Sequence, residues 1–249
     1  MSKVLLITGG GRGIGAATAV MAARQGYRVG VNYHTDLASA DRVVAEIVSE
    51  GGKAVALQGD VSCVDDVLRL FDETERAFGK VTHVVQSAGI TGRSSTLVDA
   101  PLDVITQTIA INLTGTILVA REAVKRMSTR LGGTGGVIIN VASRASEIGS
   151  PGEFVWYAAS KGGVDSFTLG LGREVATDGI RVVGIAPGLT ETEIHARSTG
   201  EPGRVERIAP IIPMQRGGSP EEVAEAILFA LSDAASYITA TTISVSGGR

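Results

Sequence analysis

At 249 residues with 44% hydrophobic side chains, the chain has apolar material for one substantial core, and a single domain over residues 1–249 is expected. Its 23 basic and 26 acidic residues leave a net charge of -3 with no basic block to track a phosphate backbone, so nucleic acid is excluded as an expected partner. Cys63 is the sole cysteine, which forbids an intramolecular disulfide, and the apolar run at 4–7 is too short for a signal-peptide core or membrane span. A soluble, cytoplasmic protein with no membrane partner is expected.

In chain order, short runs rich in β-branched residues recur at 4–7, 28–31, 54–57, 81–85, 137–141, 181–185 and 242–245, with longer helical patterns between most of them. That alternation predicts an α/β fold, a single doubly wound domain with a seven-stranded parallel sheet flanked by helices. Ser62, three residues before Asp65, reads as a capping box, and Gly51-Gly52 closes the segment before the third strand. No internal repeat or interdomain linker is visible. The long irregular stretch 188–220, rich in glycine and proline, predicts a lid or binding loop.

Gly9, Gly13 and Gly15 follow the first strand and open the helical pattern 14–24. Glycines let the backbone approach a diphosphate closely, and a helix N-terminus adds unpaired N–H groups and positive potential, so this turn predicts a dinucleotide cradle. Its spacing, TGGGRGIG, differs from the common G-x-G-x-x-G, and glycine clusters also form plain strand-to-helix turns. The second strand runs into Val31-Asn32-Tyr33-His34, where a ribose-binding carboxylate would stand about 20 residues beyond the glycines; none occurs before Asp36. That absence, with Arg12 in the turn, favours NADP(H), with NAD(H) as the second candidate. The competing reading makes Arg12 a solvated loop residue and Asn32 and His34 turn formers.

Tyr157 and Lys161 lie four apart in a helical pattern whose apolar stripe includes Val164, Phe167, Leu171 and Val175. The spacing puts phenol and ammonium on one face, where the cation lowers the phenol pKa toward a usable acid or base; such pairs also occur on ordinary surface helices. Ser143 follows the buried run 137–141, at the carboxyl edge where doubly wound sheets bind ligands, with Ser146 and Ser150 as competing serines.

Together these features resemble the short-chain dehydrogenase/reductase family, a Rossmann-type fold, and in particular its 3-oxoacyl-acyl-carrier-protein reductase and glucose 1-dehydrogenase-like members. The motifs, in order, are TGGGRGIG at 8–15, GDV at 59–61, INLTG at 111–115, NVAS at 140–143, YAASK at 157–161 and APG at 186–188. The resemblance implies a catalytic set of Asn112, Ser143, Tyr157 and Lys161. Tyr157 would exchange a proton with the substrate oxygen, Ser143 would orient that oxygen, Lys161 would hold the nicotinamide ribose, and Asn112 would position a relay water. It also implies cofactor contacts from Gly9, Gly11, Arg12 and Ile14 to the phosphates, and from Asp60 and Val61 to adenine. Ser87, Ala88 and Gly89 would line the ribose wall, and Pro187, Gly188, Thr190 and Thr192 would border the nicotinamide. Asn32, Tyr33 and His34 complete the expected cofactor site.

Three departures stand out: Gln86-Ser87-Ala88-Gly89 where the family commonly has Asn-Asn-Ala-Gly, one extra residue between Ser143 and Tyr157, and Ser246 where an aspartate is frequent. The first puts in doubt the amide bonds that support the central strand, and the second predicts a bulge around 147–153. His34, His83 and His195 are widely separated and no Cys or carboxylate pattern completes a metal site, so no metal is expected. His195, flanked by Glu191, Glu193 and Arg197, reads as an exposed residue of the lid. The expected activity is NADP(H)-dependent oxidoreduction of a small-molecule carbonyl or secondary alcohol, whether a 3-oxoacyl thioester, a sugar or a small ketone. A catalytically weak NADP(H)-binding regulator and an isomerase or dehydratase using transient hydride transfer are the competing functions. The resemblance, with long apolar helices at 102–127 and 164–175, implies a homotetramer.

Overall fold

The computed structural model describes residues 3–192 and 203–249; His195, Glu193 and Arg197 lie outside the described residues. All seven expected strands form: β1 (Val4–Thr8), β2 (Arg28–Tyr33), β3 (Lys53–Gln58), β4 (His83–Gln86), β5 (Gly136–Val141), β6 (Ile180–Pro187) and β7 (Thr241–Val245). They build one parallel sheet in the order β3-β2-β1-β4-β5-β6-β7. The order reverses between β1 and β4, and a crevice opens there at the carboxyl edge, where ligands of doubly wound sheets bind.

Burial on both faces explains why the strands read as nearly continuous apolar runs. Side chains alternate along each strand, so Leu5 and Ile7 of β1 enter one core with α1 (Gly13–Arg24), α2 (Leu37–Ser49) and α9 (Pro220–Leu231). Val4 and Leu6 enter the opposite core with Leu70 and Phe71 of α3 (Val64–Phe78), and with Val119 and Met127 of α5 (Thr116–Met127). Helix α4 (Leu102–Ile109) continues through a π-helical turn, Ala110–Gly115, into α5. Among the described residues, the stretch Leu102–Met127 alone has the length and apolarity to cross a bilayer; here it packs against α3, β4, β5 and the helix that carries Tyr157.

The expected cap at Ser62 and Asp65 is not made. Cys63 stands at the N-cap of α3 without a side-chain bond, because Ser62 turns back and donates both its N–H and hydroxyl to Asp60 Oδ1, at 2.9 and 2.7 Å. The capping box lies instead at Ser219 and Glu222, with Pro220 at the first helical position of α9. Gly51, in the left-handed region at φ 83°, does end the α2 segment.

Candidate active site

The glycine turn connects β1 to α1. Gly9 and Gly13 adopt positive φ, 64° and 51°, and a Cβ on Gly9 would come within 2.8 Å of the Ala88 backbone. Gly15 packs directly on the Gly9 carbonyl. Only glycine allows the β1 and β4 loops to meet this closely. Arg12, at the N-cap of α1, contributes no side-chain cap, so the first-turn N–H groups stay available to a ligand.

A cavity of about 940 Å³ runs from this turn along the carboxyl edge. Gly9, Arg12, Ile14, Ser87, Ala88, Gly89, Pro187, Gly188, Thr190 and Thr192 all line it, together with Ser143, Tyr157 and Lys161. An adjoining pocket of about 240 Å³ shares Gly9, Arg12, Ala88 and Gly89 and continues past Gly11, Asn32, Tyr33, His34, Asp60 and Val61. This continuous groove, floored by a glycine cradle and an uncapped helix start, fits an extended dinucleotide. Among the described residues, no group of three or more His, Cys, Asp or Glu side chains is placed to hold a metal ion.

Tyr157 and Lys161 both sit in α7 (Val155–Glu174), and Ser143 leaves the end of β5. Ser143 stands beside the Tyr157 phenol and accepts from the Ala145 N–H at 3.1 Å, whereas Ser146 donates to the Ser143 carbonyl at 2.8 Å and does not line the cavity. Lys161 is buried and donates to the Val141 carbonyl at 2.7 Å, with Nζ 5.8 Å from the centre of the Tyr157 ring. Burial pushes the Lys161 ammonium down to about 8, opposed by Asp165. Burial also pushes the Tyr157 phenol up, opposed by the Ser143 bond. The spacing alone predicts a lowered phenol; in this site desolvation dominates, so the resting phenol is protonated and poised as a donor.

Asn112 is fully buried in the π-helical turn and does not line the cavity. Its amide donates to the Ile90 carbonyl at 2.8 Å and Ser160 Oγ at 3.1 Å, while its oxygen accepts from the Ile90 N–H at 2.9 Å. Both amide donors are thus occupied, and the residue clamps the loop after β4 against α7. Gly89 fits between them; a Cβ there would stand 3.4 Å from Asn112 Oδ1 and 3.6 Å from Lys161 Nζ.

The altered Gln86 keeps its structural function. Its amide donates to Asn140 Oδ1 at 2.9 Å, and Asn140 donates to Thr168 Oγ1 at 2.8 Å, a buried chain tying β4 to β5 and α7. The extra residue after Ser143 is absorbed by a short helix, α6 (Ala145–Ile148), and by positive φ at Gly149, Ser150 and Gly152, which is the expected bulge.

In the adjoining pocket, Asn32 is buried and joins the turn to the end of β3, accepting from Gly9 N–H at 3.2 Å and donating to the Gly59 carbonyl at 3.0 Å. Arg12 pairs at 3.2 Å with Asp36, a carboxylate that the strand pattern places beyond reach but that the turn after β2 returns to the pocket. His34 Nε2 lies 3.9 Å from Asp60. Glu153 and Arg204 at the far end of the cavity escaped the sequence reading, since nothing local marks a pair 51 residues apart.

A family profile described as Enoyl-(Acyl carrier protein) reductase matches residues 9–249. An uncharacterised oxidoreductase, YgfF of Escherichia coli (strain K12), is 48% identical over 246 residues, 99% of each chain. A 3-oxoacyl-[acyl-carrier-protein] reductase of Synechocystis sp. (strain ATCC 27184 / PCC 6803 / Kazusa) is 40% identical over 99% of this chain and 96% of that protein. The structure of a short chain dehydrogenase from Burkholderia cenocepacia J2315 in complex with NADP aligns at a TM-score of 0.90 with 30% identity, covering 99% of this chain and 97% of that one.

Proposed function

Because the chain belongs to the short-chain dehydrogenase/reductase family, we propose that it is an NADP(H)-dependent oxidoreductase acting on a carbonyl or secondary-alcohol substrate. The observation that carries this reading is the meeting of Ser143, Tyr157 and Lys161 in one cavity with the glycine cradle. A nicotinamide cofactor supplies hydride to the carbonyl carbon in reduction and accepts it in oxidation. Tyr157 gives its hydroxyl proton to the substrate oxygen in reduction and takes it back in oxidation, and Ser143 donates to the same oxygen and holds it in line. Lys161 keeps ammonium donors free of Val141 for a ribose hydroxyl, and its charge steadies the phenolate left by proton transfer. Asn112 acts as a positioning residue through Ile90 and Gly89.

Gly9, Gly11 and Ile14 would cradle the diphosphate, and Asp60 and Val61 would border adenine. Preference for NADP(H) rests on Arg12 and His34 at the rim of the adenosine pocket, with Asp36 as the opposing charge. Residues around 188–220 would form the substrate lid. Assembly as a homotetramer rests on the exposed apolar side chains Leu102 and Ile117 of α4 and α5, and light scattering at the monomer mass would reject it.

The test follows absorbance of reduced nicotinamide across a carbonyl panel, comparing the parent with Tyr157→Phe. We expect kcat to fall about 10²- to 10⁴-fold. Undiminished turnover in the variant removes the acid/base assignment. Product without net cofactor change indicates an isomerase or dehydratase instead, and tight NADPH binding without turnover indicates a regulator.

A further inference from the structure

The substrate half of the cavity differs in charge from the chain as a whole. Arg93, Arg144, Arg204, Arg207 and Arg249 line it, against one acidic side chain among the described lining residues, Glu153, in a protein of net charge -3. Arg144 is engaged locally by Glu147 and by the Arg249 backbone oxygen. Arg204 pairs with Glu153, whose carboxyl is held below its usual range chiefly by the hydrogen bonds from Arg204, with the charges of Arg207 and Arg249 adding to it.

Arg204, in α8 (Arg204–Ile208), is the unusual member. Its side chain is only 9% exposed, its two terminal nitrogens each bond a Glu153 oxygen at 2.5 Å, and its Nε is buried with no partner among the described residues. A buried guanidinium is costly, and an unmet donor on it more so, unless a further acceptor arrives. Glu153 also stands four residues before Tyr157, so their Cα atoms are separated by at most about 14 Å.

We propose that the substrate carries an anionic oxygen group, a carboxylate or phosphate, that docks against Arg204 and Arg249 while its carbonyl meets Tyr157. Arg204 is then a specificity-determining residue: with its two terminal nitrogens held by Glu153, its Nε–H remains to donate to an oxygen of either anion. The proposal rests on the hydride-transfer reading above for its kinetics, but not for its binding test.

With NADPH, the parent enzyme is assayed on 4-oxopentanoate, its methyl ester, dihydroxyacetone phosphate and dihydroxyacetone. At least one charged member is expected to exceed its neutral counterpart in kcat/KM, and whichever does identifies carboxylate or phosphate as the anion. In Arg204→Met that charged-to-neutral ratio falls about 10- to 100-fold, Arg204→Lys recovers part of it, and Arg249→Gln lowers it by a smaller factor. Equal losses on charged and neutral substrates mark a structural role for Arg204 and overturn the proposal, as does the absence of any charged preference in the parent. If no carbonyl is turned over, the hydride reading fails by itself. Calorimetric titration of glutarate, and separately of inorganic phosphate, into the NADPH-loaded protein then decides: binding by either that weakens at least about tenfold in Arg204→Met supports the anion site. No binding of either overturns it.

Discussion

The groove has two halves built on opposite principles. Beyond β4 the working side chains are buried and joined by hydrogen bonds: Asn112 to Ile90 and Ser160, Gln86 to Asn140 to Thr168, and Lys161 to Val141. Beside β2 and β3 the charges are open to solvent, with Arg12 and Asp36 at 40% and 36% side-chain exposure. Buried polar groups leave partners unsatisfied when one is removed, whereas exposed ion pairs are screened and contribute little. On the function proposed here, cofactor preference would shift by surface substitution while the chemistry stays in a rigid frame.

The largest effect should come from Asn112→Leu, which strands the part-buried N–H and carbonyl of Ile90 and the buried Ser160 hydroxyl. A loss of about 3 kcal/mol in urea unfolding is expected, together with loss of activity; an unchanged midpoint would break the contrast between the halves.

Lys161 sharpens the contrast through pH. Its folded-state value, about 8, lies below the ordinary lysine value of 10.5. The unfolded chain thus binds more protons between these values, and this group's contribution to stability is full above pH 10.5 and lost as pH falls through 8. Relative to Lys161→Met, the cofactor-free parent should gain on the order of 3 kcal/mol between pH 8 and 10.5. A flat difference would show that the ammonium is better solvated than its burial implies. Gln86→Leu, which cuts one link of a chain rather than a clamp, should cost about 1–3 kcal/mol and leave Asn140 as the stranded group.

The smallest change belongs to the open half. Arg12→Ala should weaken NADPH about 3- to 10-fold, with NADH within about twofold, and raised salt should shrink the difference. Equal losses for the two cofactors, measured by fluorescence titration, would keep the turn as a phosphate cradle but remove the preference assigned to Arg12. Asp36→Asn should move NADPH affinity the other way.

Particular elements show where sequence reading succeeds. Short, nearly continuous apolar runs rich in β-branched residues located every strand because a sheet covered on both faces needs them, and Gly9 and Gly15 marked the turn because close backbone approach admits no Cβ. The helix cap was misplaced because Ser62 and Ser219 carry similar local patterns; only the neighbouring Asp60 diverts the first. Asp36 was discounted by counting residues along β2, but a turn brought it to Arg12.

The amino-acid sequence by itself determined the layered α/β order, the glycine cradle, and the presence of Ser143, Tyr157 and Lys161, since each depends on local periodicity or on a motif. Tertiary structure decided the rest: that Gln86 replaces the expected amide, that Asn112 clamps rather than lines the cavity, and that Arg204 meets Glu153 at its far end. These depend on which groups the fold desolvates together. Burial and pairing across 22 to 54 residues leave no trace in a local pattern.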